Sequence, residues 1–509
     1  MTAHANPSQT TFDQRTLWTA FAAIVLAMLP AVLDQTILAT ALPTIATDLG
    51  RLTGLSWVVT AYVVAAAAAT PLWGKLGDRQ GHKRMLELSL GLFLAASAVC
   101  GMAQDITMLV ISRAVQGAAA GGLMALAMAC VGNLVSPRER ARYQGYITAT
   151  FAVATVAGPL IGGLLVEHAS WRWVFYVNLP IGVAALVGLR LRLPAPEPSR
   201  PDHRLDAAGA GLLAAATAAF MLACLWGGDR YAWSSPTILG LLAGAAFLAA
   251  ALAVRERRAG DPVVPLDLLG TRTVAVASIA LFLTTASLFA INVFVPMYLQ
   301  VTTGATPTQA GLLLVPMMIG ITLSTNLAGR AISKTGRYKR YPVAGLGLMT
   351  VALGLLAVLA GHPSRAGVGI ALAVFGIGFG MVGQVLIVAV QNGVDPRRIG
   401  TAMASTSFFR GLGGAVGAAV LGAVFTARAG MTAAATGGST LEEGLRAGVI
   451  HGVQTVFIVA APIAALALAI TLALREVPLR TGGAPSGGKA EPGTAAAAPG
   501  ARSVAPVTR

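Results

Sequence analysis

Three ionisable side chains stand inside otherwise apolar runs. They are Asp34 in AVLDQTILATALP (31–43), Arg113 in LVISRAVQGAAAGG (109–122) and Arg410 in FFRGLGGAVGAAV (408–420). A charge at the centre of a bilayer costs at least about 2.5 kcal/mol unless it meets water or a partner. Burial favours a neutral carboxyl, whereas a neighbouring cation favours a carboxylate. A carboxylate whose cation moves between two states therefore takes up and releases a proton. At 1.5 Å per helical residue, Asp34 lies roughly 12 Å and Arg113 roughly 10 Å from the outer ends of their runs. We expect the two to share a depth, with Asp34 facing a central cavity and sensing Arg113. A static buried pair is the plain alternative. Arg410 lies near mid-membrane, where it could bind an anionic substrate group, act as a countercharge, or simply lie against helix-end carbonyls. Gln35, Gln116, Asn292 and Gln384 are candidates for the cavity wall, and each is equally readable as an interhelical hydrogen bond.

The elements that must position these residues are set by composition. The 509 residues are 56% hydrophobic and 11% charged, with mean hydropathy +0.73. Soluble domains carry about 25% charged residues, so the chain reads as an all-α polytopic membrane protein. About 20 apolar residues cross a bilayer as a helix, and the sequence contains fourteen such runs. The net charge of +16 comes from Lys and Arg between the runs, concentrated on one side. This asymmetry places both termini in the cytoplasm and accounts for the charge without nucleic acid. The first run is read as an uncleaved membrane helix in the cytoplasmic membrane. Cys100, Cys130 and Cys224 all sit in apolar stretches, without metal-binding spacing.

The runs repeat. GKLGDRQGHKR starts at Gly74 and GRAISKTGRYKR at Gly329, an offset of 255; GPLIGG starts at Gly158 and GGAVGA at Gly413, with the same offset. A parallel duplication of six helices follows. The expected organisation is a tail (1–16), a six-helix bundle (17–192), a linker with two inserted helices (193–271), a second six-helix bundle (272–474) and a disordered cytoplasmic tail (475–509).

The motifs carry a resemblance. In GKLGDRQGHKR, Gly74 permits close helix approach and Gly81 a tight turn. Asp78 can act on a helix N-terminus or pair with an arginine. With Arg79 and Arg84, the stretch resembles the loop between helices two and three of the major facilitator superfamily. That resemblance implies a conformational latch built on Gly74, Asp78, Arg79, Gly81 and Arg84. In the second copy Ser333 replaces the acid, which puts a second latch in doubt. Arg113, Gln116 and Gly117 are in register with the family's helix-four motif, whose arginine is linked to proton movement. Gly158, Pro159, Gly162 and Gly163 in ATVAGPLIGGLL (154–165) resemble the motif that marks antiporters, with Ala154 in place of its leading glycine. WRWVFYVNLPIG (171–182), LDAAG (205–209) and PMYLQ (296–300) resemble the fourteen-helix drug:proton antiporter branch, as do the stretches around Asp34 and Arg410.

The resemblance implies two six-helix bundles plus two extra transmembrane helices. It also implies a monomeric, proton-coupled antiporter that exports drug-like small molecules. Export of an endogenous metabolite is the alternative, and an uptake symporter a more distant one. No cofactor or metal is expected. The six histidines fall in tails, loops and span ends, and neither HExxH nor a phosphate-binding lysine loop is present, which argues against an enzyme or a built-in ATPase.

Overall fold

The computed structural model describes residues 14–49, 55–135, 137–193, 206–228, 230–257, 270–303, 312–361, 364–395, 398–435 and 441–476. Among them it is helical throughout, with one isolated bridge between Gly227 and Tyr231. The helices are α1 (Gln14–Asp48), α2 (Leu55–Gln80), α3 (His82–Gly101), α4 (Ile106–Leu134), α5 (Pro137–His168), α6 (Trp173–Tyr176), α7 (Asn178–Arg192), α8 (Ala207–Trp226) and α9 (Pro236–Glu256). After these come α10 (Arg272–Phe289), continued by a π-turn (Ala290–Phe294) into α11 (Val295–Thr303). The series ends with α12 (Val315–Thr335), α13 (Arg340–Leu359), α14 (Arg365–Gly393), α15 (Ile399–Ala435) and α16 (Leu441–Leu472). The expected interdomain linker and both expected tails lie largely outside the described residues.

Twelve helices, among the described residues, are long and apolar enough to cross a membrane. Of the fourteen runs expected, twelve are candidate spans among the described residues. The two runs that fall short, 141–166 and 308–329, correspond to α5 and α12. Both are helical: α12 carries Ser324, Thr325, Asn326 and Arg330 along its length, whereas α5 is uncharged over 149–166, where some side chains lie outside the described ones.

Packing sorts the helices. α4 lies against α2 and α3, and α1 against α5 and α7; on the other side α14 lies against α12 and α13, and α15 and α16 against each other and α10. The two sets meet where α5 touches α12 and α2 touches α15. The inserted α8 and α9 pair with each other, and α8 rests on both α2 and α15. Small residues make these approaches possible. A Cβ on Gly117 would sit 2.2 Å from the Tyr62 carbonyl oxygen, and one on Gly121 2.3 Å from that of Ala66, so α4 sits directly on the α2 backbone.

Helix ends are pinned at both faces. At the face holding the basic loops, the Lys83 ammonium donates to the carbonyls of Arg190 and Leu193 at the end of α7. Lys339 does the same to Leu472 at the end of α16. Cations there satisfy carbonyls that have no partner within the helix. Asp206 caps α8 through Gly209 N and binds Arg255 of α9; Arg255 and that cap hold its carboxyl below the usual carboxylate range. At the opposite face Asp48 accepts from Trp171 Nε1 (2.7 Å) and Arg172 (3.1 Å), while Arg172 also donates to Ala103 O.

Candidate functional site: a buried ion pair beside a cavity

Asp34, on α1, is fully buried. Its Oδ2 accepts a hydrogen bond from Arg113 of α4, and its Oδ1 accepts from Gln116 (2.9 Å) and from Asn178 of α7 (3.2 Å). Arg113 is 1% exposed and is satisfied on every side. It donates to Gln116 Oε1 (2.7 Å) and to the Val58 carbonyl, and its guanidinium lies 4.1 Å over the Tyr62 ring. Asn178 and Gln116 both donate to Ser97 Oγ of α3. Cys100 reaches Ser112 and Gln116. The carboxyl group thus meets a guanidinium and two amide donors with no exposure to solvent. Taking one partner away from such a buried pair costs about 3–5 kcal/mol. The network joins α1, α3, α4 and α7 at one point.

A cavity of about 400 Å³ opens beside this network. That volume is within the range of sites for drug-sized ligands. Its wall includes Gln35, Tyr62, Thr70, Met124, Phe379 and Arg410. A smaller space of about 50 Å³ adjoins it, sharing Thr285, Phe379 and Arg410 and adding Gln384. Asp34 is not part of either wall, which corrects the expectation that it faces the cavity. Tyr62 lines the cavity and its ring backs onto Arg113, so the tyrosine stands between the ion pair and the open space.

At the basic-loop face, α2 ends on the start of α15. Asp78 Oδ1 accepts from Gly400 N (2.8 Å), and Oδ2 from Thr401 N (2.7 Å) and its hydroxyl. Of the two options expected for Asp78, the structure has the helix N-terminus, where orphan amides and the dipole favour an anion. His82 Nε2 lies 3.0 Å from Asp78 Oδ1, and Asn133 Nδ2 lies 3.3 Å from His82 Nδ1. Asn133 donating to Nδ1 leaves the Nε2 hydrogen for Asp78. Gly74 allows the contact: a Cβ there would meet Gly400 O at 2.7 Å. Gly81 has φ +92°, a conformation that favours glycine. Arg79 and Arg84 make no ion pair among the described residues, so of the expected latch only Gly74, Asp78 and Gly81 carry contacts or geometry. Nearby, Arg140 of α5 donates to Gly132 and Val135 at the end of α4 and to Gln391 at the end of α14.

The remaining sequence candidates divide. Gln35 and Arg410 line the main cavity and Gln384 the smaller one. Gln116 belongs instead to the Asp34 network, and Asn292 is exposed within the π-turn and lines neither space. Gly158 meets α1, where a Cβ would lie 2.0 Å from Thr36 Oγ1, while a Cβ on Gly163 would meet nothing. Pro159 and Gly162 lie in the same helix, the Pro159 side chain outside the described ones. Sequence reasoning missed Tyr62, Ser97, Asn178 and His82. Asn178 had a signal: it is a polar residue at the head of an apolar helix, inside a stretch read only as an interfacial anchor.

Helices packed in two sets around a drug-sized cavity, with a buried ion pair at its flank, define a polytopic membrane transporter. The chain belongs to the Major Facilitator Superfamily, whose model matches residues 24–418. It is 39% identical over 406 residues to an uncharacterised MFS-type transporter of Mycobacterium tuberculosis. That match takes in 80% of the chain but spans only 59% of the relative's length. It is 34% identical over 407 residues to the multidrug transporter protein MdtP of Bacillus subtilis, covering 80% of this chain and 75% of that one. Multidrug resistance protein 3 of the same organism is 32% identical over 403 residues, with coverage of 79% and 78%. Among solved structures, the human organic anion transporter MFSD10 superposes with TM-score 0.64 at 17% identity, covering 89% of this chain and 99% of that one. At that identity the likeness concerns the fold. As a transporter of this family, the protein is not an enzyme.

Proposed function

We propose that the protein is a monomeric proton-coupled antiporter. It exports drug-like amphipathic compounds across the cytoplasmic membrane by alternating access, with both termini in the cytoplasm. The observation that carries this reading is Asp34, a fully buried carboxylate tied to Arg113, Gln116 and Asn178 on two other helices. The multidrug names of the two Bacillus relatives support the efflux part.

In this reading the two halves, 17–192 and 272–474, rock about the cavity, and α5 and α12 also traverse the bilayer, giving fourteen spans. The contact of α5 with α12, close enough that a Cβ on Gly329 would lie 2.4 Å from Ala141 O, supports treating both as bundle members. The arrangement has its basic-loop end closed by Asp78 and Arg140, with Asp34 tied to Arg113. Protonating Asp34 removes the charge that Arg113 answers. Arg113 then keeps Gln116, the Val58 carbonyl and the Tyr62 and Phe175 rings, and α1 loses its charged tie to α4. Because Tyr62 touches both Arg113 and the cavity, a change at the pair reaches the substrate space through one side chain.

The test is Asp34→Asn in everted membrane vesicles carrying an imposed pH gradient. Gradient-driven uptake of fluorescent drugs should fall to background, while membrane insertion and the detergent elution profile stay as in wild type. Undiminished pH-driven uptake in a folded Asp34→Asn protein sinks the proposal.

A further inference from the structure

The two arginines inside the bundle differ in one respect. Arg113 has a carboxylate, an amide, a carbonyl and an aromatic face. Arg410, on α15, makes no hydrogen bond or ion pair among the described residues, and it lines both the main cavity and its side space. It is the one charged side chain in the wall of either. An unpaired guanidinium held among apolar surfaces is costly unless a counter-charge arrives. The wall around it is otherwise suited to an apolar body: Tyr62, Met124, Leu288 and Phe379 face the same space. Gln384 contributes a buried Oε1 that also has no partner. Asp34, the acid that could attract a cation, is behind Tyr62 and fully engaged.

We propose that Arg410 is the substrate anchor and that the compounds carried are amphipathic organic monoanions. Each would have an apolar, aromatic or alicyclic body and one carboxylate or similar group. The guanidinium matches such a group with two parallel hydrogen bonds, which an ammonium cannot reproduce. The bare positive charge in the wall excludes organic cations, so the same residue supplies affinity and selectivity. The substrate class rests on the export reading above, but the anchor itself is measurable as binding alone.

The experiment uses the purified full chain and three probes of matched body: 1-pyrenebutyrate, its methyl ester, and a pyrenebutyl trimethylammonium salt. Fluorescence titration at neutral pH should show the acid binding about tenfold or more tighter than the ester, with the cation weakest, as expected for loss of a charge-assisted pair. Arg410→Gln should bring the acid to the level of the ester, and Arg410→Lys should keep part of the difference. Equal binding of acid and ester by wild type overturns the proposal, and needs no variant to fold. So does full acid preference in a folded Arg410→Gln. Transport is scored separately in vesicles. Proton-driven export of the ester or the cation, undiminished by Arg410→Gln, overturns the anchor and leaves the export reading intact. Arg410-dependent binding of the acid without proton-driven export of any probe overturns the export reading and leaves the anchor standing.

Discussion

The junction of α2 with α15 and that of α12 with α5 occupy equivalent places in the repeat, yet they are held differently. Each is a glycine contact. Gly74 meets the start of α15, and Gly329, 255 positions later, meets Ala141 near the start of α5. At the first, a carboxylate four residues on collects two backbone amides and a hydroxyl from the opposing helix. At the second, that position is Ser333, whose hydroxyl donates to Gly329 O within its own helix. Close packing is thus common to both junctions, and at the first Asp78 adds a carboxylate across the seam. The glycine contact recurs at the offset of 255 whereas the acid does not, which makes the α2–α15 seam the one that loss of a charge at this position should loosen.

The contrast breaks most sharply at Asp78. Asp78→Ala strands two amides of α15 and should weaken closure of the basic-loop end by about 3 kcal/mol, the value of losing charged hydrogen bonds at a cap. Cysteines placed beside Gly400 should become rapidly reactive to aqueous thiol reagents. Ser333→Ala should change reactivity beside Ala141 several-fold less; equal effects at the two seams would dissolve the asymmetry.

Gly74→Ala and Gly329→Ala come next and sharpen the shared part. Both put a Cβ within 2.7 Å of a facing carbonyl oxygen, at Gly400 and Ala141 respectively. Each should cost about 1–3 kcal/mol in the closed arrangement, and cross-linking across either seam should fall alike. A large loss at one seam only would show that their packing is not equivalent.

The smallest effect concerns the opposite face, where Asp48 is held by Trp171 and Arg172. Both hydrogen bonds keep its carboxyl below the ordinary value of 3.8. A depressed carboxylate contributes stability above its ordinary value, and the contribution fades as pH falls through the lowered one. The Tm advantage of wild type over Asp48→Asn should therefore be constant from neutral pH to about 4 and shrink below it. The group is half-exposed, so the gap should be slight. A gap that widens in acid contradicts this assignment.

Much of this was legible in the chain. Matching depth put Asp34 beside Arg113, the offset of 255 picked out the close glycine contacts at Gly74 and Gly329, and the turn at Gly81 followed from its type. What periodicity cannot carry is the identity of a distant partner. Asp78 meets a helix start 322 positions away, and a carboxylate in a loop reads the same whether it meets amides or an arginine. Nor does depth give direction around a helix axis. Asp34 and Gln35 are neighbours, but Gln35 faces the cavity and Asp34 faces α4.

The inserted helix α8 has a mechanical consequence. Its Met221 reaches the cavity wall, and with Cys224 it packs against Ala415 and Ala419 of α15 and the side of α2 at Val63 and Ala67. It therefore lies along the seam that Asp78 locks, on the membrane side. Under the proposed cycle, parting α2 from α15 would expose a slot to lipid. A helix that, among the described residues, rests on both by apolar contact can slide and keep that slot covered, acting as a gasket that seals the chamber sideways while its ends open in turn.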